Sequence, residues 1–241
     1  MRKIAVFVEG HTELIFVREY LLKRFEYVVN IECRTLFSDN SFKSAEFDSS
    51  NPSSDKFFQI INVGNDNAVI SRMLRREEYL WNQGFHAIIC LRDMYSQNYR
   101  DFTNAIDCTI IKRFIEGVTV TLESAKQPGN IDFIFAIMEA EAWFLGSIHL
   151  FAYKDARLTS QFIQESLGVD FTLIDPEKEI YHPAKTVDDI YQLVSLRYDK
   201  HKKDIERIAS SYSSQDFVDL YTSSKCNSFN MFVDCINHRI A

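Results

Sequence analysis

The chain opens with Ile4-Ala5-Val6-Phe7-Val8-Glu9-Gly10-His11-Thr12-Glu13, and apolar residues then recur at Leu14, Ile15, Val17, Leu21 and Leu22. Five consecutive apolar residues fit a strand buried on both faces, and the later three-and-four spacing fits a helix that lays one side on a sheet. A strand, a glycine turn and a helix in this order begin a crossover unit of an α/β fold. Glu9 then stands at the carboxyl end of a buried strand, the edge at which open α/β sheets bind their ligands. Glu13 follows four residues later, inside the first turn of the helix.

The same alternation continues along the chain. Apolar, β-branched or aromatic runs predict strands over 27–37, 57–63, 86–91, 118–122 and 131–138, and helical spacing appears over 65–83 and 99–116, with Gly117 as a stop signal. Residues 38–56, rich in Ser, Asn and Asp and containing Pro52, read as a long loop. After about Gly146 the texture is helical over 150–167, 186–212 and 215–240, with interruptions at Asp175-Pro176 and His182-Pro183. The expected fold is α/β, a mostly parallel central sheet flanked by helices over 1–150, with a helical extension over 151–241 packed on it as one structural unit.

Composition narrows the function classes. The 241 residues are 46% hydrophobic and 25% charged with a net charge of −7, which suits an ordinary globular core and opposes indiscriminate binding to nucleic acid or anionic membrane. The apolar run before Glu9 is too short for a secretory leader, and no segment has the length of a membrane span, so a cytoplasmic protein is expected. Five widely spaced cysteines without a Cys-x-x-Cys pair suggest neither a disulfide framework nor a thiolate zinc site. Phosphate-loop, dinucleotide, zincin and serine-hydrolase motifs are absent from the sequence. The six histidines show no ligand spacing; His11 merely adjoins the strand-end acid.

The acids at strand ends are the remaining chemistry. Asp93 follows the run 86–91, and Glu139 and Glu141 follow the run 131–138. Any one of them could simply cap the next helix. Neighbouring strands lie about 5 Å apart, so acids at adjacent carboxyl ends repel one another unless a cation intervenes. Hard oxygen donors suit magnesium or manganese. Glu139 and Glu141 face one side only if their stretch is extended, because a helix turns them about 200° apart. Glu141 is the preferred ligand and Glu139 the second.

The stretch Val8-Glu9-Gly10-His11-Thr12-Glu13 resembles the opening motif of Toprim domains, above all those of nucleases related to the overcoming-lysogenization-defect family. Asp93 matches the first acid of their Asp-x-Asp motif, and 138–145 resembles a later segment in which Glu141 is the matching acid. A closer likeness is to small stand-alone Toprim-like proteins, which carry Asp-x-Tyr and a doubled glutamate. The resemblance covers roughly residues 1–150. It implies cleavage of DNA or RNA phosphodiesters dependent on Mg2+ or Mn2+, with Glu9, Asp93 and Glu141 as catalytic residues and Glu13 and Glu139 as further metal ligands. It also implies a lysine that meets the substrate, for which Lys126, Lys185, Lys200 and Lys203 are candidates, and an effector role in bacterial defence or toxicity with a separate ATPase or sensor, in a chain that can self-associate as a homo-oligomer. Tyr95 departs from the pattern where a second aspartate is expected, and a tyrosine is not a strong magnesium ligand at neutral pH. The alternative is a non-catalytic Toprim-like binding module working with a partner ATPase.

Overall fold

A computed structural model describes residues 1–37, 41–44, 47–64 and 68–241. Six strands form one sheet: β1 (Arg2–Val8), β2 (Asn30–Leu36), β3 (Phe42–Ser44), β4 (Lys56–Asn62), β5 (Ala87–Asp93) and β6 (Ile131–Ala136), in the order β3-β2-β4-β1-β5-β6. All pairings are parallel except β2 with β3 at the edge. The fold is therefore α/β with a mostly parallel sheet, as the alternation of strands and helices predicts.

Period-two packing explains why the central strands read as unbroken apolar runs. Ile4, Val6 and Val8 of β1 join one core with α1 (His11–Arg24), whereas Ala5 and Phe7 face the other way onto α2 (Val69–Asn82). β5 divides in the same manner, with Ala87, Ile89 and Leu91 on the first face and Ile88 and Cys90 on the second. Helices on both faces leave β1 and β5 side by side in the middle, with Val8 paired to Leu91. Glu9 and Asp93 consequently emerge at adjacent carboxyl ends.

The elements after β5 depart from the expected boundaries. Residues 99–116 are not one helix: a single turn, α3 (Gln97–Arg100), precedes α4 (Cys108–Leu122), whose start is capped by the Asp107 carboxylate accepting from the Thr109 and Ile110 amides. Residues 118–122 form no strand, because α4 continues through Gly117. The space around Gly117 is open, so the glycine costs about 1 kcal/mol of helix propensity without forcing a stop. Strand β3 occupies part of the expected loop 38–56; positions 38–40, 45 and 46 of that loop, and 65–67 of the expected helix 65–83, lie outside the described residues.

Past β6 the chain is helical, in shorter pieces than the sequence spacing suggests: α5 (Glu141–Gly146), a 3₁₀ turn (Ile148–Tyr153), α6 (Ser160–Leu167), α7 (Pro176–Glu179), α8 (Pro183–Gln192), α9 (Lys202–Ser211), α10 (Ser214–Thr222) and α11 (Asn227–Ile240). The breaks have local causes. Ser195 (φ 63°) and Lys200 (φ 53°) turn left-handed between α8 and α9, Ser213 caps α10, and Cys226 (φ 52°) separates α10 from α11. These helices share the core of α1. Phe16 packs its ring against Trp143 (5.2 Å), Phe144, Tyr212 and Phe217 (each 5.6 Å) and Phe229 (5.9 Å). Among the described residues, no helix is long and apolar enough to cross a membrane.

The closest approach in this core lies at Gly146, where a Cβ would sit 2.8 Å from both Cys226 Sγ and Leu220 Cδ1. Gly146→Ala is expected to cost about 1–3 kcal/mol through overpacking, seen as a lower urea midpoint at unchanged slope. An unchanged midpoint would mean that α5 does not press on α10 and α11 as described.

Candidate metal centre

The site assembles at the carboxyl edge of β1, β5 and β6. Glu9 leaves β1, and its Oε2 accepts a hydrogen bond from the Asp93 amide at 3.2 Å. Asp93 ends β5, where its Oδ1 accepts from the Ala140 amide at 2.9 Å. Between β6 and α5, Met138 adopts a left-handed conformation (φ 61°) although it is neither glycine nor asparagine. Such residues are costly and concentrate at functional sites. Glu139 lies in the irregular turn and Glu141 opens α5, yet both carboxylates reach the same cluster beside Asp93.

Among the described residues, the acids whose ligand atoms lie within 4.8 Å of one another are Asp93, Glu139 and Glu141, all three buried. This triad could hold a metal ion. Glu9, expected as a corner of the site, stands beside the group, with one oxygen committed to the Asp93 amide. Glu13 is buried at 3% exposure and caps its own helix, its Oε2 accepting from the Gly10 amide at 2.8 Å. A Cβ on Gly10 would lie 3.2 Å from that oxygen, which explains a small residue at the turn better than backbone strain does, since Gly10 is extended.

Three further side chains meet the triad. Lys200 Nζ lies 2.9 Å from Glu139 Oε1 and 3.2 Å from Glu141 Oε1. Glu139 Oε2 accepts from the Ala184 amide at 2.9 Å, at the start of α8. Glu141 Oε1 also accepts from the Tyr198 hydroxyl at 2.9 Å and the Thr12 hydroxyl at 3.3 Å. Glu141 is fully buried, and its other oxygen, Oε2, has no hydrogen-bond partner. An ionised oxygen left bare in the interior is expensive, and a cation is the natural complement. The all-carboxylate donor set fits a hard divalent ion such as magnesium, manganese or calcium, without selecting among them.

The protonation equilibria register the crowding. Burial, then the charges of Glu13, Glu9 and Glu141, holds the Asp93 carboxyl well above the usual range, against the pull of Lys200. Burial and the Glu141 charge push Glu13 up as well. Burial alone would lower Lys200, but Glu141, Glu139 and Asp93 outweigh it and keep the ammonium charged. His11, half-buried beside Asn62 (3.2 Å between Nδ1 and Nδ2), is lowered by burial and by Lys202.

Of the candidate lysines, Lys200 alone touches the triad among the described residues. Lys185 pairs with Asp189 (2.7 Å) on the exposed side of α8, Lys126 pairs with Glu78 (2.6 Å), and Lys203 is exposed on α9. Sequence reasoning missed Tyr198, which lies in a stretch that reads as continuous helix, and the Ala184 amide, just past the His182-Pro183 interruption. Thr12 was within reach, since it sits in the opening motif itself.

A raised carboxyl weakens the fold as pH rises, because the unfolded aspartate ionises above about pH 4 while the buried one keeps its proton. In metal-free buffer Asp93→Asn is therefore expected to melt higher than the wild type at pH 7, with the gap closing toward pH 4. Saturating Mg2+ or Mn2+ should reverse the order, adding about 2.7 kcal/mol to the wild type at a hundredfold excess over Kd and less to the variant. Thermal melts with chelator and with metal check both; equal stabilisation of the two proteins would remove Asp93 from the centre. No protein-family model, curated protein or solved structure matches this chain.

Proposed function

We propose that the chain is a divalent-metal-dependent phosphodiesterase acting on nucleic acid, with Asp93, Glu139 and Glu141 as metal ligands and Glu9 and Lys200 as flanking groups. The observation that carries this reading is the bare, buried Oε2 of Glu141 inside a carboxylate triad at the carboxyl edge of a parallel sheet. The likeness of 8–13, Asp93 and 138–145 to Toprim nucleases supports the choice of phosphodiester chemistry. When bound, magnesium or manganese supplies positive charge for a phosphate and lowers the pKa of a coordinated water.

The protein's own groups divide the remaining work. Thr12 and Tyr198 hold one oxygen of Glu141 and so aim the other inward. The Ala184 and Ala140 amides fix Glu139 and Asp93 in the same way. Lys200, charged and part-exposed, is the group suited to meet a phosphate oxygen or protonate a leaving alkoxide. Glu9 borders the cluster as a proton acceptor for an attacking water. Tyr95, where a second acid is expected, favours a second reading, a Toprim-like module that binds without cleaving and works with a partner ATPase.

Incubation of the protein with supercoiled plasmid, and separately with tRNA, in Mg2+ or Mn2+ distinguishes the two. Cleavage is expected for at least one substrate, and Glu9→Ala and Asp93→Ala should each reduce it by about 100-fold or more, beyond the loss typical of residues that only support ligands. Cleavage that survives both substitutions, or none with any substrate and metal, contradicts the enzyme.

A further inference from the structure

Beside the carboxylates lies a second cluster that metal binding does not use. Tyr95 is two residues past Asp93, and its amide donates to the Met138 carbonyl at 2.7 Å, one residue before Glu139. His182 is two residues before Ala184, whose amide holds Glu139. The Tyr95 ring meets Tyr181 edge-on at 5.4 Å and His182 at 5.0 Å, and Tyr181 and His182 are 4.5 Å apart. The Arg100 guanidinium lies 5.0 Å from the Tyr95 ring centre. Tyr181 is anchored by its hydroxyl, which donates to the Thr103 carbonyl at 2.9 Å.

These rings differ from the aromatic core in one decisive respect. Phe16 and its partners are buried, whereas His182 and Arg100 are exposed and Tyr95 and Tyr181 only half-buried. Two segments far apart in sequence, 95–100 and 181–182, thus present rings and a guanidinium at the rim of the acid cluster. A net charge of −7 with carboxylates at the centre opposes the long-range attraction of a polyanion. Base stacking on aromatic faces is the alternative source of affinity, and it requires bases that are not already stacked in a duplex. Arg100 donates to Gln97 (2.7 Å) and to the Tyr95 hydroxyl, and its five N–H groups leave further donors for a phosphate.

We propose that Tyr95, Tyr181, His182 and Arg100 form a nucleotide platform that selects single-stranded nucleic acid and lays its backbone across the carboxylate centre. An unpaired base packs on the exposed His182 ring and the half-buried Tyr181 ring, and Arg100 takes the adjoining phosphate. The platform rests on the phosphodiesterase reading for its purpose, but its binding is measurable without cleavage.

Fluorescence anisotropy in Ca2+ tests it with four labelled probes: a twelve-nucleotide oligothymidylate, the matching oligouridylate, an oligomer of the same length with abasic sites, and a blunt DNA duplex. Base-bearing single strands are expected to bind about tenfold or more tightly than the abasic strand or the duplex. His182→Ala should lose that preference, His182→Phe should keep it, and Arg100→Ala should weaken every probe and flatten the salt dependence. The thymidylate and uridylate arms report whether DNA or RNA is preferred. Equal binding of abasic and base-bearing strands, an unaffected His182→Ala variant, or no binding of any strand overturns the platform. Calorimetric titration of Mn2+ into the same proteins reads the metal centre separately: uptake unchanged in His182→Ala leaves that centre standing whatever the oligonucleotides do, and absent uptake beside intact base-dependent binding removes the centre and keeps the platform.

Discussion

Burying carboxylates together is the constraint around which this molecule is arranged. Like charges within 4.8 Å of one another repel by about 3.5 kcal/mol or more per pair at an effective dielectric of 20. Asp93, Glu139 and Glu141 accept that repulsion in the interior, with Glu9 and Glu13 adding to it. Lys200 is the cation that reaches them among the described residues, and one ammonium cannot neutralise the group. The remaining imbalance is met by holding protons on Asp93 and Glu13 or by admitting a further cation. The bare oxygen of Glu141 marks where that cation would be received.

The rest of the fold holds the acids in this unfavourable company. Phe16 ties α1, which carries Thr12 and Glu13, to Trp143 and Phe144 of α5, the helix that begins at Glu141. Tyr212, Phe217 and Phe229 of the C-terminal region close the same aromatic cluster. That region also contributes to the site directly, through the Ala184 amide, the Tyr198 hydroxyl and Lys200. The C-terminal helices complete the acid cluster as much as they cover the sheet. Met138, next to Glu139 in the chain, and Lys200, which pairs with Glu139 and Glu141, are both left-handed, so the backbone bends where these groups come together.

What the sequence discloses follows from which physical signals are local. Apolar runs 4–8 and 86–91 announce the central strands because burial on both faces leaves an unbroken record, run 131–138 announces the edge strand β6, and the acids that end all three can be named at once. Left-handed turns at non-glycine residues leave no such record. Ser195 and Lys200 break what reads as one helix over 186–212, so nothing in the spacing singles out Lys200 from Lys185 or Lys203. The left-handed turn at Met138 likewise accompanies the approach of both Glu139 and Glu141 to Asp93, which neither a strand nor a helix rule yields. Gly117 illustrates the converse, a stop signal overridden because its helix is held by the apolar side chains around it, Phe114 and Val118 among them.

On this proposal the buried triad of Asp93, Glu139 and Glu141 is a cation site. Crystals of the protein grown with MnCl2 and measured at the manganese absorption edge test it most directly. An anomalous peak is expected within about 2.5 Å of oxygens from Asp93, Glu139 and Glu141, including the Oε2 of Glu141. A fully ordered triad bridged by Lys200 alone, with no anomalous density among the carboxylates, would contradict it.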